Sequence, residues 1–179
     1  ELGRVIRRID AKGNETRFEY NDLERSATLV RPGGQRTTTT SDAAGRPIQQ
    51  TDFNGVSTHY RYDVMGRLID EQLPGGISMT RTYTATGQVA TSTDPNGTAT
   101  FTYDVLDRLV SNKTPDNRTI SYTYDANGHV TAITTPSGTT NKQYDTLGRL
   151  TKVITPGDQT TTYTDDATSN LVQTEFPDG

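Results

Sequence analysis

Polar and apolar residues alternate in this chain in short bursts rather than long stretches. Thr58-His59-Tyr60-Arg61-Tyr62 shows the pattern: two tyrosines spaced by two, with polar residues between them. That is the period of a β-strand. Asp63-Val64-Met65-Gly66 then reads as a reversal, a type I turn followed by a glycine in the left-handed region. The loop is Val64 to Gly66. Asp63 stands across from Arg67, and one step out Tyr62 stands across from Leu68.

The burst recurs every 20 or 21 residues. Taking slot 0 at positions 20, 41, 62, 83, 103, 124, 144 and 165, slot 0 holds Tyr20, Tyr62, Tyr83, Tyr103, Tyr124 and Tyr144, while Tyr60, Tyr122 and Tyr163 sit at slot −2. Slot +1 is Asp in six of eight units: Asp42, Asp63, Asp104, Asp125, Asp145 and Asp166. Slot +4 carries Gly3, Gly45, Gly66, Gly87, Gly128 and Gly148. Slot +5 carries Arg4, Arg25, Arg46, Arg67, Arg108 and Arg149, and slot +6 is aliphatic in seven units, among them Leu68, Leu109, Val130 and Leu150. Opposite charges and aromatic–aliphatic pairs facing each other are the contacts that stabilise neighbouring strands.

A second reversal sits half a unit away. Seven of the eight prolines share slot +12, and slot +14 holds Gly13, Gly34, Gly55, Gly76, Gly97, Gly138 or Gly179, replaced by Asn117 or Asp158 where it is not glycine. These residues tolerate positive φ best. Each unit is therefore a pair of strands of about six residues, and the whole is an all-β array of tandem hairpins forming one twisted antiparallel sheet over residues 1–179. A period this regular means a repeat architecture in which no unit folds alone. The sequence opens at Gly3-Arg4-Val5 and closes at Phe176-Pro177-Asp178-Gly179, in mid-pattern, as a piece of a longer array would.

Composition sharpens this picture. Only 30% of residues are apolar, against about 45–50% (glycine included) in globular domains. Slots +6 and +7 place one narrow apolar row on each face, as suits a thin sheet wetted on both sides rather than a sandwich. The net charge of −4 is evenly spread, leaving no basic patch for nucleic acid. No apolar run spans a bilayer. Without cysteine there is neither a disulfide frame nor a thiolate metal site.

Candidate chemistry is sparse. The recurring slot +1 aspartates could bind calcium, but one Asp per turn facing an Arg is simpler as a turn cap and ion pair. His129 occupies an arginine slot, as a substitute partner for Asp125, and His59 lies in another slot. Asp165 and Asp166 are adjacent, so on a strand they point to opposite faces. No Gly-x-Ser-x-Gly nucleophile turn occurs. The tyrosines could stack on sugars, or pack against slot +6 without any ligand.

The core Tyr-Asp-x-x-Gly-Arg-Leu, present as Tyr62-Asp63-Val64-Met65-Gly66-Arg67-Leu68 and as Tyr144-Asp145-Thr146-Leu147-Gly148-Arg149-Leu150, resembles the YD or RHS repeat. Tyr103-Asp104-Val105-Leu106-Asp107-Arg108-Leu109 departs from it only at Asp107, and Tyr124-Asp125-Ala126-Asn127-Gly128 carries its first half. Units around Ser41 and Thr164 are degenerate. RHS proteins are bacterial polymorphic toxins whose repeats spiral into a hollow β-shell around a C-terminal toxic domain, and teneurins use similar repeats. The resemblance implies a non-enzymatic structural segment without cofactor or metal. Its partners would be neighbouring repeats and an enclosed toxin, in a secreted or cell-surface bacterial protein. Exposed sheet edges would allow homo-oligomers. The alternative is an adhesion or carbohydrate-binding module built on Tyr60, Tyr122 and Tyr163.

Overall fold

A computed structural model describes residues 3–177; Asp178 and Gly179, and with them the last slot +14 glycine, lie outside it. Seventeen strands form an open antiparallel sheet, and among the described residues the only helical element is a single 3-10 turn at Pro74–Gly76.

The chain divides into two compact units, one of residues up to Thr82 with Thr93–Pro95, the other of Tyr83–Ser92 and residues from Asn96 onward. The first is built on β1 (Arg7–Ile9), β2 (Glu15–Asn21), β3 (Ser26–Val30), β4 (Arg36–Ser41), β5 (Pro47–Thr51), β6 (Ser57–Tyr62), β7 (Leu68–Leu73) and β8 (Ile77–Tyr83). The second is built on β9 (Val89–Asp94), β10 (Gly97–Tyr103), β11 (Leu109–Lys113), β12 (Thr119–Tyr124), β13 (Val130–Thr135), β14 (Gly138–Tyr144), β15 (Leu150–Ile154), β16 (Thr160–Asp165) and β17 (Leu171–Glu175). From β1 to β8, and from β10 to β17, each strand pairs antiparallel with the next.

One turn design serves both edges. In twelve turns among the described residues, the lead residue donates its N–H to the carbonyl four residues on and accepts from the N–H three residues on. Asp63 does so with Arg67 and Gly66; Thr114 does so with Arg118 and Asn117. The third loop residue carries positive φ: 84° at Gly66, 60° at Asp107, 64° at Asn117. This is a type I turn closed by a left-handed residue. The period of 20 rather than 21 arises where the second loop loses a residue. Thr135 pairs directly with Gly138 across Pro136-Ser137, whereas three residues separate Thr114 from Arg118.

Slot 0 pairs with slot +6 at Tyr62–Leu68, Tyr103–Leu109, Tyr124–Val130 and Tyr144–Leu150. One step further in, the register slips by a residue: Arg61 pairs with Asp70, and Ile69 is left over. The same bulge occurs in six hairpins. A bulge adds local bend and twist to its strand. Periodicity alone did not disclose it. The hairpin at residue 20 is different: Tyr20 pairs with Ala27 and Asn21 with Ser26, without a shift, around a four-residue turn. Arg25, expected to stand opposite slot +1, is instead inside that turn at φ 51°. Asn21 in place of Asp removes the carboxylate that would have drawn the arginine across.

No apolar side chain among the described residues is buried. The one buried residue is polar: Asp70, 8% exposed, accepts from the Ser78 hydroxyl at 2.9 Å and from Gln72 Nε2 at 3.2 Å. Cohesion therefore rests on ladder hydrogen bonds and half-buried rows rather than on a core.

Candidate functional site: the repeat junction

The Tyr-Asp-x-x-Gly-Arg-Leu residues converge at the hairpin tip, and their geometry repeats. Asp63 Oδ1 accepts the N–H groups of Met65 and Arg67, both at 2.9 Å, while Oδ2 takes Arg67 Nε at 2.7 Å. Asp104 and Asp145 do the same with Arg108 and Arg149. Asp42 does so with Arg46. At Asp125 the partner is His129, through Nδ1 at 2.9 Å. All these carboxyls are held below the usual aspartate range. For Asp63 and Asp145 the largest cause is the backbone N–H of the arginine; for Asp42 and Asp125 it is the bond from the facing side chain. At Asp104 partial burial is the largest single effect and pushes upward, yet the bonds from Arg108 and Leu106 outweigh it.

The arginine also reaches out of its own hairpin, which sequence reasoning missed. Arg4 lies over the ring of Tyr20 at 4.4 Å, Arg46 over Tyr62 at 4.9 Å, and Arg108 over Tyr124 at 4.5 Å. In each pair the tyrosine belongs to the following repeat. Where the slot holds His129, its ring stacks on Tyr144 at 4.7 Å. Arg108 Nη1 further donates to the Asp125 carbonyl at 3.1 Å, and Arg149 Nη1 to that of Asp166 at 2.9 Å. The tyrosine returns the contact. Tyr20, Tyr103, Tyr124 and Tyr144 donate their hydroxyls to the slot +6 carbonyls of the preceding repeat: Val5, Val89, Leu109 and Val130, at 2.7 to 3.0 Å. The signal was the shared 21-residue spacing of Arg and Tyr, legible only once adjacent hairpins are known to lie side by side.

Glycine at slot +4 is favoured on two counts, although Asp107 and Ser169 also hold positive φ there. Its φ is positive, and at Gly66 a Cβ would come within 3.0 Å of Arg46 Nη1, at Gly148 within 2.8 Å of His129 Nε2. At the opposite edge, a Cβ on Gly97 or Gly138 would meet the Cβ of Pro115 or Pro156 at 2.9 or 2.5 Å. Proline and glycine of successive repeats thus pack on each other.

This arrangement joins repeats. The carboxylates of Asp63, Asp104 and Asp145 each accept three donors from their own turns, and among the described residues no three His, Asp or Glu side chains gather as metal ligands. Among the described residues no helix is long and apolar enough to cross a membrane. Tyr60, Tyr122 and Tyr163 are half-buried, paired with Glu71, Ile133 and Thr174.

Residues 54–176 match the sequence model of the family described as Teneurin YD-shell. No curated protein sequence matches the chain. Among solved structures, the chain is similar to TcdB2-TccC3 without its hypervariable C-terminal region, with 22% identity and a TM-score of 0.64 over 92% of this chain and 11% of that one. A second TcdB2-TccC3 crystal structure gives 21% and 0.60 over 95% and 11%. The Tc holotoxin pore of Photorhabdus luminescens gives 19% and 0.59 over 96% and 13%. The chain therefore spans about one eighth or less of the proteins it resembles.

Proposed function

The chain belongs to the teneurin YD-shell family, and from that premise we propose that it is a non-catalytic stretch of wall in an RHS-type toxin, enclosing a C-terminal toxic domain. It acts as an array of about eight repeats anchored at residues 20, 41, 62, 83, 103, 124, 144 and 165, within a longer chain. The residues that carry this role are those of the Tyr-Asp-x-x-Gly-Arg-Leu core, from Tyr62 to Leu150. The observation that supports it best is the reciprocal Arg–Tyr junction, which spends the arginine and tyrosine of the repeat motif on the neighbouring repeat. No apolar side chain among the described residues is buried, and faces so largely polar can lie against water or an unfolded chain over most of their area. The wall protein is secreted or displayed at a bacterial surface. Unpaired sheet edges also favour association between copies, which light scattering of the chain at rising concentration measures; a strict monomer contradicts that part.

Electron microscopy of the full-length protein tests the enclosure. A hollow particle holding density that protease cannot reach is the expected result, and a solid particle overturns it. A glycan array separates the wall from a carbohydrate-binding module. Selective binding lost on replacing Tyr60, Tyr122 or Tyr163 by Ala would favour the latter.

A further inference from the structure

One face of the first unit breaks the repeat twice in adjacent places. Slot +9 holds Leu, Gln, Glu, Ser, Asn, Ile, Val or Thr in eight units and a cation in one, Arg8. Slot +11 leads the second turn and is Asp or Thr in six of nine units, but Arg31 in one. The substitution removes a local support. Of the twelve turns of common design, that of Arg31 is the one whose lead side chain makes no hydrogen bond into its own turn; it closes through backbone alone, Arg31 N–H to Gln35 and Gly34 N–H to Arg31. Its counterparts Asp10 and Asp52 each accept two turn N–H groups. A local rule broken without structural return points to a functional site.

The two arginines share a face. Arg8 pairs with Thr16, Thr16 and Phe18 are two apart on β2, Phe18 pairs with Leu29, and Leu29 and Arg31 are two apart. Strand alternation therefore puts all five on one side of the sheet. They line, with Asp10, Asn14 and Pro32, a cleft of about 440 Å3, a size that accepts a small ligand or a few residues of peptide. Arg8 and Arg31 flank β2 from either side, roughly 10 Å apart at two strand spacings. Phe18 and Leu29 supply a half-buried apolar floor. Neither guanidinium forms an ion pair among the described residues, whereas on the opposite face Arg7 and Arg17 both pair with Glu15, and Arg36 pairs with Glu19. The acid of the cleft, Asp10, is occupied by the N–H groups of Lys12 and Asn14 and by Asn14 Nδ2, and the charge of Arg8 is the smallest of the influences on it.

We propose that this cleft binds an extended acidic peptide segment, carboxylates at its positions i and i+4 engaging Arg8 and Arg31 and an apolar side chain at i+2 lying on Phe18 and Leu29. Charge complementarity selects the acid, and an extended chain carries side chains four apart on one face by about 13 Å, within reach of two flexible arginines. This holds whether or not the chain walls off a cargo.

Fluorescence anisotropy of a labelled peptide with Glu, Phe and Glu at alternate positions and Ser between them, titrated with the chain at low salt, tests it. Arg8→Gln and Arg31→Gln each weaken binding about tenfold, consistent with loss of one charge-assisted contact. Arg7→Gln, on the other face, leaves it unchanged. Arg31→Asp both abolishes binding and raises the thermal midpoint, because the missing turn cap is restored; a merely structural arginine would not separate those two readouts. No binding at millimolar peptide, equal loss on Arg7→Gln, or a sulfated polysaccharide bound with the same arginine dependence in place of the peptide each overturns the assignment.

Discussion

At the scale of single residues, positions that look interchangeable differ in what surrounds them. Gly128 and Gly138 both carry positive φ, 93° and 127°, but only Gly138 lies against a neighbouring proline. Gly128→Ala should cost about 1–2 kcal/mol for the backbone conformation alone. Gly138→Ala should cost upwards of about 3 kcal/mol, since Pro156 is ring-locked and cannot give way. Urea unfolding of the two variants measures the difference, and equal losses would mean the contact relaxes freely. The capping aspartates make a pH prediction. Their folded pKa lies below the unfolded value, so their contribution is complete above about pH 4–5 and disappears as pH falls through the depressed folded values. The thermal midpoint should stay level from pH 8 to 5 and drop below about pH 4, less steeply in Asp63→Asn, which starts lower. A midpoint that declines between pH 7 and 5 would point to other groups.

Single hairpins were readable because turn chemistry is local. Asp63, Gly66 and Arg67 sit within five residues, and their spacing dictates one loop. Junctions between hairpins were not readable, since Arg108 meets Tyr124 across 16 positions with no local trace of the pairing. The bulge beside Tyr62 was hidden too, because an extra residue in one strand leaves its own alternation intact. Arg25 misled for a related reason: it keeps its slot, yet Asn21 lacks the carboxylate that gives the slot its meaning. At this scale the phenol bond has a measurable effect. Tyr124→Phe should destabilise by about 1 kcal/mol, while keeping the ring under Arg108. In a double-mutant cycle with Arg108→Ala, Tyr124→Leu should show coupling of about 0.5–1 kcal/mol. Strict additivity would remove the stacking from the account of cohesion.

For the molecule as a whole, the absence of any buried apolar side chain among the described residues sets its thermodynamics. Heat capacity of unfolding tracks newly exposed apolar area. Calorimetry should therefore give less than the usual ~12–15 cal/mol/K per residue, and a correspondingly shallow stability curve. A normal value would mean that apolar rows are more thoroughly covered in solution, by oligomers for instance. Stability should also scale with the number of neighbours a repeat has, as in other one-dimensional arrays.

The matching grip between consecutive repeats has a consequence for how such chains change over time. Plug and socket recur at several seams, so a gene duplication that inserts one whole module of that kind leaves two good joints where there was one. Recombination at other offsets would strand a cation beside the wrong ring. Length can thus drift by modules while spacing within each is policed, and a single missing loop residue, as beside Pro136, is the one small slip the pattern forgives.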